Sequence, residues 1–317
     1  MVGIVTSPGS VARWRAGCLT AVLVAAVAVA GFWPDSGEAT FPGRNGLIAF
    51  GPFGERDLCG PEIDCSGRYI EVAFPQRPAS RRALTCREAR CIAWEPAWSP
   101  DGRKLAFSNE RGIAVARAHG SGRRRVTTRG SRAAWSPDGR RLVFDADATP
   151  RRGGFPVDTD DLFVKRLGHG TRRLTYRGGD SAAWSSRGQI AFVRRSPRGF
   201  RFDVHLWLGP GRGVRRLTGG GQSEAPSWSP DGTRLAVVRY GRKAGQNIVI
   251  IDPRSRRART VTRLGGSHPV WSPDGRRILF HRGESLFSVN PRGGALKREV
   301  RSVGQLVSGI DWQPRKR

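Results

Sequence analysis

The segment PAWSPDGRKLAF at 96–107 returns as AAWSPDGRRLVF at 133–144, PSWSPDGTRLAV at 226–237 and PVWSPDGRRILF at 269–280. A degenerate copy, AAWSSRGQIAF, occupies 182–192. The tryptophans of these copies, Trp98, Trp135, Trp184, Trp228 and Trp271, with Trp312 of GIDWQP as a sixth, stand 37, 49, 44, 43 and 41 residues apart. A unit of that period with strand-like content cannot bury a core alone and must stack on its neighbours, which predicts the blades of a β-propeller.

Each copy reads as four strands. The first ends in small residues and Trp, and the second is an alternating run closing on Phe107, Phe144, Phe192, Val237 or Phe280. The third is apolar, as in GIAVA at 112–116 or NIVIID at 247–252, and the fourth is basic and ends near Leu-Thr. Between the first two, Pro presets φ, Asp bonds the backbone and Gly takes the left-handed position of a tight turn. Where Ser186 and Arg187 replace Pro and Asp, Gly188 remains, because only its geometry has no substitute. Small residues precede every Trp, such as Ala97, Ala134 and Ala183, as innermost strands crowding an axis require.

The sixth copy stops after Trp312, and its missing strands lie near the start of the chain: NGLIAF at 45–50, YIEVAF at 69–74 and RRALT at 81–85. The predicted fold is therefore all-β, a six-bladed β-propeller of four-stranded antiparallel blades. The strand at 307–312 should lie beside 47–50 to close the ring and leave no blade edge unpaired.

Residues 1–39 read differently. Arg13 and Arg15 precede a stretch from Gly17 to Trp33 without a charge, followed by small residues, which is the order of a signal peptide or an N-terminal membrane anchor. Cys18 precedes the apolar run, so it does not read as a lipid attachment site. The propeller then spans 40–317, outside the cytoplasm, secreted or tethered by the first segment. Cys59, Cys65, Cys86 and Cys91 form an even set in an exported chain and read as two disulfides, of which 59–65 and 86–91 are the simplest pairing. Their spacings do not match zinc knuckles.

The formal charge is +29, carried by arginine far more than lysine. Such a surplus attracts polyanions through a salt-screened field, but it is spread along the chain and forms no nucleic-acid arm, so no nucleic acid is expected. Expected partners are a protein or an anionic envelope polymer, with contact to a membrane surface left open, and the chain is expected to be a monomer.

The copies WSPDGRKLAF, WSPDGRRLVF, WSPDGTRLAV and WSPDGRRILF, with Leu-Thr on the fourth strand, resemble the WD40-like (PD40) repeat of the TolB family over residues 41–317. The resemblance implies a six-bladed propeller acting outside the cytoplasm as a partner-binding platform. The separate N-terminal α/β domain of that family has no counterpart expected here, so its Tol-Pal role does not carry over. Propeller peptidases have similar repeats, but their G-x-S-x-G nucleophile elbow is absent from this sequence.

Two function classes stay open. One is a non-catalytic binding propeller with no cofactor and no catalytic residues. The other is a propeller hydrolase, lyase or dehydrogenase with a metal or cofactor in the central channel. The five histidines are scattered singly, and the acidic group Asp145, Asp147, Asp158, Asp160 and Asp161 reads as a solvated loop in preference to a Ca²⁺ site. The polar residues three or four before each Trp, namely Glu95, Arg132, Asp180, Glu224 and His268, differ between copies where the scaffold positions do not. They are expected to ring the channel mouth and bind the partner. Replacing Glu95, Asp180 and Glu224 together by Ala is expected to weaken binding without changing the melting temperature.

Overall fold

A computed structural model describes residues 40–53, 69–85, 92–148, 160–196, 201–241, 245–263, 265–304 and 306–316. The segment 1–39 and all five cysteines, Cys18, Cys59, Cys65, Cys86 and Cys91, lie outside the described residues. Among the described residues the regular elements are strands, and they form six antiparallel four-stranded sheets. Each sheet is one blade, with strands a to d running outward from the axis.

Blade 1 joins the two ends of the chain: Leu306–Arg315 is strand a, and Arg44–Phe53, Glu71–Phe74 and Arg77–Ala83 are b, c and d. Blades 2 to 6 open with strands a at Trp94–Trp98, Ser131–Trp135, Asp180–Trp184, Ser223–Trp228 and Ser267–Trp271. These six a strands touch one another in succession and return to the first, so they line a central channel. The strand at 307–312 lies beside 47–50 as the repeat predicts, with Ile48 paired to Trp312, Ala49 to Asp311 and Phe50 to Ile310.

The tryptophans are inter-blade packing. Trp98, Trp135, Trp228 and Trp271 are almost fully buried, each against the sheet of the preceding blade. Trp135 and Trp228 also donate their indole N–H to Ala97 O and Ala183 O of that blade, at 3.0 and 3.2 Å. The small residue before Trp becomes polar in two blades and is used the same way. Asp311 Oδ2 accepts Trp98 N at 2.6 Å across the seam, and Ser227 Oγ accepts Trp271 N at 3.4 Å.

The Leu-Thr signature also has a mechanical cause. Each d strand is short, and the Thr hydroxyl beyond it accepts a c-strand N–H that the d strand cannot reach. Thr85, Thr127, Thr175, Thr218 and Thr262 do this for Ile70, Ile113, Leu162, Val204 and Ile248, at 2.9–3.0 Å.

The degenerate turn of blade 4 is not simply eroded. Ser186 Oγ donates to Pro230 O and Arg187 Nε to Asp231 O, both at 2.7 Å, so the departures from the repeat tie this turn to the next one.

Candidate functional site

Every a strand from blade 2 to blade 6 carries a β-bulge just before its small residues, seen as a register shift between Trp94 and Ala97, Ser131 and Ala134, Asp180 and Ala183, Glu224 and Ser227, and Ser267 and Val270. The residue three before Trp takes a positive φ of 50–53° in all five: Glu95, Arg132, Ser181, Ala225 and His268. A non-glycine residue in that region is uncommon, and bulges re-aim side chains where a site needs them. The device explains why the polar residue sits at either of two offsets. Glu95, Arg132 and His268 occupy the bulged position, whereas Asp180 and Glu224 precede it.

All five sequence-predicted residues are buried, at 3–8% exposure, so they are not a solvated rim. Glu95, Arg132 and Asp180 are drawn into one cluster centred on Arg132. Its guanidinium binds Asp145 twice, Nε to Oδ1 at 3.0 Å and Nη2 to Oδ2 at 2.8 Å. It also lies 3.9 Å from Glu95 Oε1 and 3.5 Å from Asp160 Oδ2. Glu95 Oε2 accepts Ser108 Oγ and the backbone N–H of Arg132, each at 2.8 Å. Asp180 Oδ2 accepts Arg195 Nε at 3.3 Å, and Asp180 Oδ1 is buried without a hydrogen-bond partner. Glu224 stands apart, bonded by the Tyr240 hydroxyl, to which Gln246 donates at 3.0 Å. His268, two blades from Glu95 around the ring, lies like it on a channel-lining a strand.

Carboxylates outnumber cations in this cluster, and burial magnifies the imbalance. Burial raises the Asp145 carboxyl to about 7, with Asp160, Asp180 and Glu95 adding to it against the opposing pull of Arg132. Burial likewise raises Glu95 despite Arg132 and its hydrogen bonds. The Arg132 guanidinium is held more firmly protonated, because Asp145, Glu95 and Asp180 outweigh its own desolvation. Burial thus pushes Asp145 and Glu95 toward their protonated forms while Arg132 stays charged between them.

Two expectations change. Asp145, Asp160 and Asp161 belong to strands Arg141–Asp147 and Asp160–Arg166, not to a solvated loop. Asp145 pairs with Arg132, and Asp161 with Arg173 and the Thr175 hydroxyl, because blades 3 and 4 place a basic d strand opposite an acidic c strand. Asp158 lies outside the described residues. Glu95 and Glu224 hold buried neighbours, so the triple Ala variant is now expected to lower the melting temperature. Sequence reasoning missed Asp145, Asp160, Arg195 and Ser108 as mouth residues, since they reach it from b and c strands; the concentration of acids at 145–161 was the available signal. Among the described residues, no three of His, Cys, Asp and Glu are grouped to hold a metal ion.

Residues 76–233 match the TolB beta propeller domain family, PD40. The chain is 38% identical over 74 residues to the Tol-Pal system protein TolB of Zymomonas mobilis, a match that spans 23% of this chain and only 16% of that protein. The crystal structure of TolB from Acinetobacter baumannii superposes with a TM-score of 0.68 at 20% identity, covering 85% of this chain and 67% of that one. A chain of a nidogen/laminin complex superposes with a TM-score of 0.64 at 12% identity, covering 86% of this chain and 100% of that one. At these identities the superpositions show a shared fold.

Proposed function

We propose that this chain, which belongs to the TolB-like PD40 propeller family, is a non-catalytic binding propeller that works outside the cytoplasm and takes a cationic segment of a partner protein at its channel mouth. One observation carries the reading: Asp180 Oδ1 is buried without a hydrogen-bond partner, in a cluster where Glu95, Asp145 and Asp180 are buried around the shared guanidinium of Arg132. A buried acceptor without a donor costs free energy that an incoming N–H group recovers. The same field repels an anionic segment, so charge selects the partner. An anionic polymer would therefore engage another surface.

The extracytoplasmic placement rests on the signal-like order of residues 1–39 ahead of a propeller at 40–317. In that compartment Cys59 pairs with Cys65 and Cys86 with Cys91, and the closed ring works as a monomer. Side-by-side capture from native envelopes by the full chain and by Asp180→Asn tests the binding reading. A defined partner retained by the wild type and depleted from the variant, at nearly equal melting temperature, supports it. Identical capture by both proteins refutes it.

A further inference from the structure

The a–b turns form a ring in which each rests on the blade before it. A Cβ added at the turn glycine makes the contact visible. At Gly139 it would meet Pro100 Cδ of blade 2 at 3.7 Å, at Gly275 it would meet Pro230 Cγ of blade 5 at 3.8 Å, and at Gly232 it would crowd Ser186 and Arg187 of blade 4. Gly102 likewise abuts Pro314, at the end of strand a in blade 1. Gly188 of blade 4 is the exception, with nothing within 4 Å among the described residues. Two departures from the repeat accompany this open junction. The blade 4 turn is one residue shorter, since Ile190 pairs with Trp184 six positions back, whereas Leu142 pairs with Trp135 seven back. Ser186 and Arg187, bonded to the carbonyls of Pro230 and Asp231, also tie that turn to blade 5 on its other side.

A groove of about 520 Å³ occupies the gap between blades 3 and 4. Its apolar lining is Val164 and Leu174 from blade 3 and Trp184, Ile190 and Trp207 from blade 4. Trp184 keeps 5% exposure, against 0–2% for the other five tryptophans of the repeat, and Trp207 is half-buried. The Trp184 indole N–H is buried without a hydrogen-bond partner, whereas those of Trp135 and Trp228 donate across their junctions. Trp98, Trp271 and Trp312 also lack a partner, but their junctions are closed over them.

The polar groups of the groove are chiefly donors. Arg172 is exposed, stands opposite Val164 on the d strand, and its guanidinium forms no hydrogen bond or ion pair among the described residues. Arg141 lies over the Trp184 ring at 5.2 Å. The one acid of the lining, Asp138, is 3.3 Å from Arg141, and its carboxylate also accepts Ser136 Oγ and, at 3.0 Å, the backbone N–H of Arg140. Indole and guanidinium groups can only donate, so a ligand must accept. Aromatic and aliphatic walls beside such donors suit a large apolar side chain with a carboxylate next to it.

We propose that this groove is a second binding site, which takes an extended acidic segment of a partner protein, with a leucine-sized side chain against Trp184 and Trp207 and the neighbouring carboxylate on Arg172 and Arg141. A sugar chain fits less well, because its hydroxyl groups would meet Val164, Leu174 and Ile190 without partners. The groove lies at the turn end of the blades, whereas Asp147 and Asp160 pair at the b–c end beside the mouth, and the two sites select opposite charge. Each reading can therefore fail alone.

Titration of the isotope-labelled full-length chain with Ac-Gly-Leu-Glu-Gly-NH2, followed by NMR through the indole N–H signals, tests the proposal. Trp184→Phe identifies the Trp184 signal. That signal should shift saturably, at one peptide per chain, while those of Trp135 and Trp228 stay in place. Ac-Gly-Leu-Gln-Gly-NH2 should bind about tenfold more weakly, as should the acidic peptide to Arg172→Gln, each having lost a charge-assisted hydrogen bond. Arg172 is exposed, so that variant should keep its melting temperature. Ac-Gly-Glu-Gly-NH2, which lacks the apolar residue, should give no saturable shift, and Asp180→Asn at the mouth should bind the acidic peptide as the wild type does. Equal affinity for the Glu and Gln peptides, unchanged binding in Arg172→Gln, a silent Trp184 signal, or saturation by soluble polygalacturonate in place of the peptide would each overturn the proposal.

Discussion

Arg132→Met removes a guanidinium that is 6% exposed and binds Asp145 at 3.0 and 2.8 Å, with Asp160 and Glu95 at 3.5 and 3.9 Å. Methionine is unbranched and adaptable, so the change is chiefly one of charge. Removing one partner of a buried pair strands the other and costs about 3–5 kcal/mol. Each kcal/mol moves the melting temperature of a domain of this class by about 2–4 °C, so the variant should melt roughly 6–20 °C lower at pH 8. Acid softens that loss. The Asp145 carboxyl is already raised by burial to about 7, and without Arg132 it rises further. A carboxyl raised in the folded state contributes stability that is fully present below its unfolded value, here 3.8, and is lost as pH rises through the folded value. The deficit of the variant must therefore shrink between pH 8 and pH 5. Adding Asp145→Asn removes the stranded charge and should recover most of the loss, a coupling that a double-mutant cycle isolates. Urea and thermal unfolding of the three proteins at both pH values decide the matter. A variant within about 0.5 kcal/mol of wild type at pH 8, or a deficit that grows in acid, would refute the reasoning.

Asp145→Asn alone should flatten the pH profile, since the wild type loses stability as pH rises through about 7 while the amide does not titrate; parallel melting curves from pH 5 to 9 would contradict this. Asp311→Ala orphans the buried N–H groups of Trp98 and Trp312 at the seam and should cost about 1–3 kcal/mol for each, read from urea midpoints, with Asp311→Asn milder. Restoring the repeat with S186P/R187D should destabilise the ring by about 0.5–1.5 kcal/mol, because it removes the bonds to Pro230 O and Asp231 O; a gain in stability would show that those bonds carry nothing. Mass mapping of the native protein should find Cys59 joined to Cys65 and Cys86 to Cys91, and a 65–86 link would reject that pairing.

The architecture was legible because each repeat states its own mechanics. Pro, Asp and Gly fix the a–b turn, the small residue before Trp fits the axis, and Trp312 without strands after it demands the N-terminal segment as partner. That 307–312 lies beside 47–50 followed from the same alignment, whereas the register that sets Ile48 opposite Trp312 came from the structure. The mouth was legible only in outline. Variation between copies pointed to Glu95, Arg132, Asp180, Glu224 and His268, but the bulge that turns Glu95, Arg132 and His268 inward has no residue signature, since Ser181 and Ala225 adopt the same φ. Asp145 and Asp160 were visible as acids, yet their pairing with Arg132 depends on how b and c strands end, which spacing does not encode. Ser186 and Arg187 read as decay because their partners, the carbonyls of Pro230 and Asp231, belong to backbone that looks alike in every turn.

Isothermal titration of the full-length protein with Ac-Gly-Arg-Gly-NH2 and Ac-Gly-Glu-Gly-NH2 tests the acid-biased mouth most directly. The arginine peptide should bind saturably, one per chain, and Asp180→Asn should weaken it about tenfold, the effect of roughly 1.4 kcal/mol expected for a buried charge-assisted hydrogen bond. The glutamate peptide should give no saturable heat. Equal affinity for the two peptides, or arginine binding unchanged in Asp180→Asn, would contradict the account.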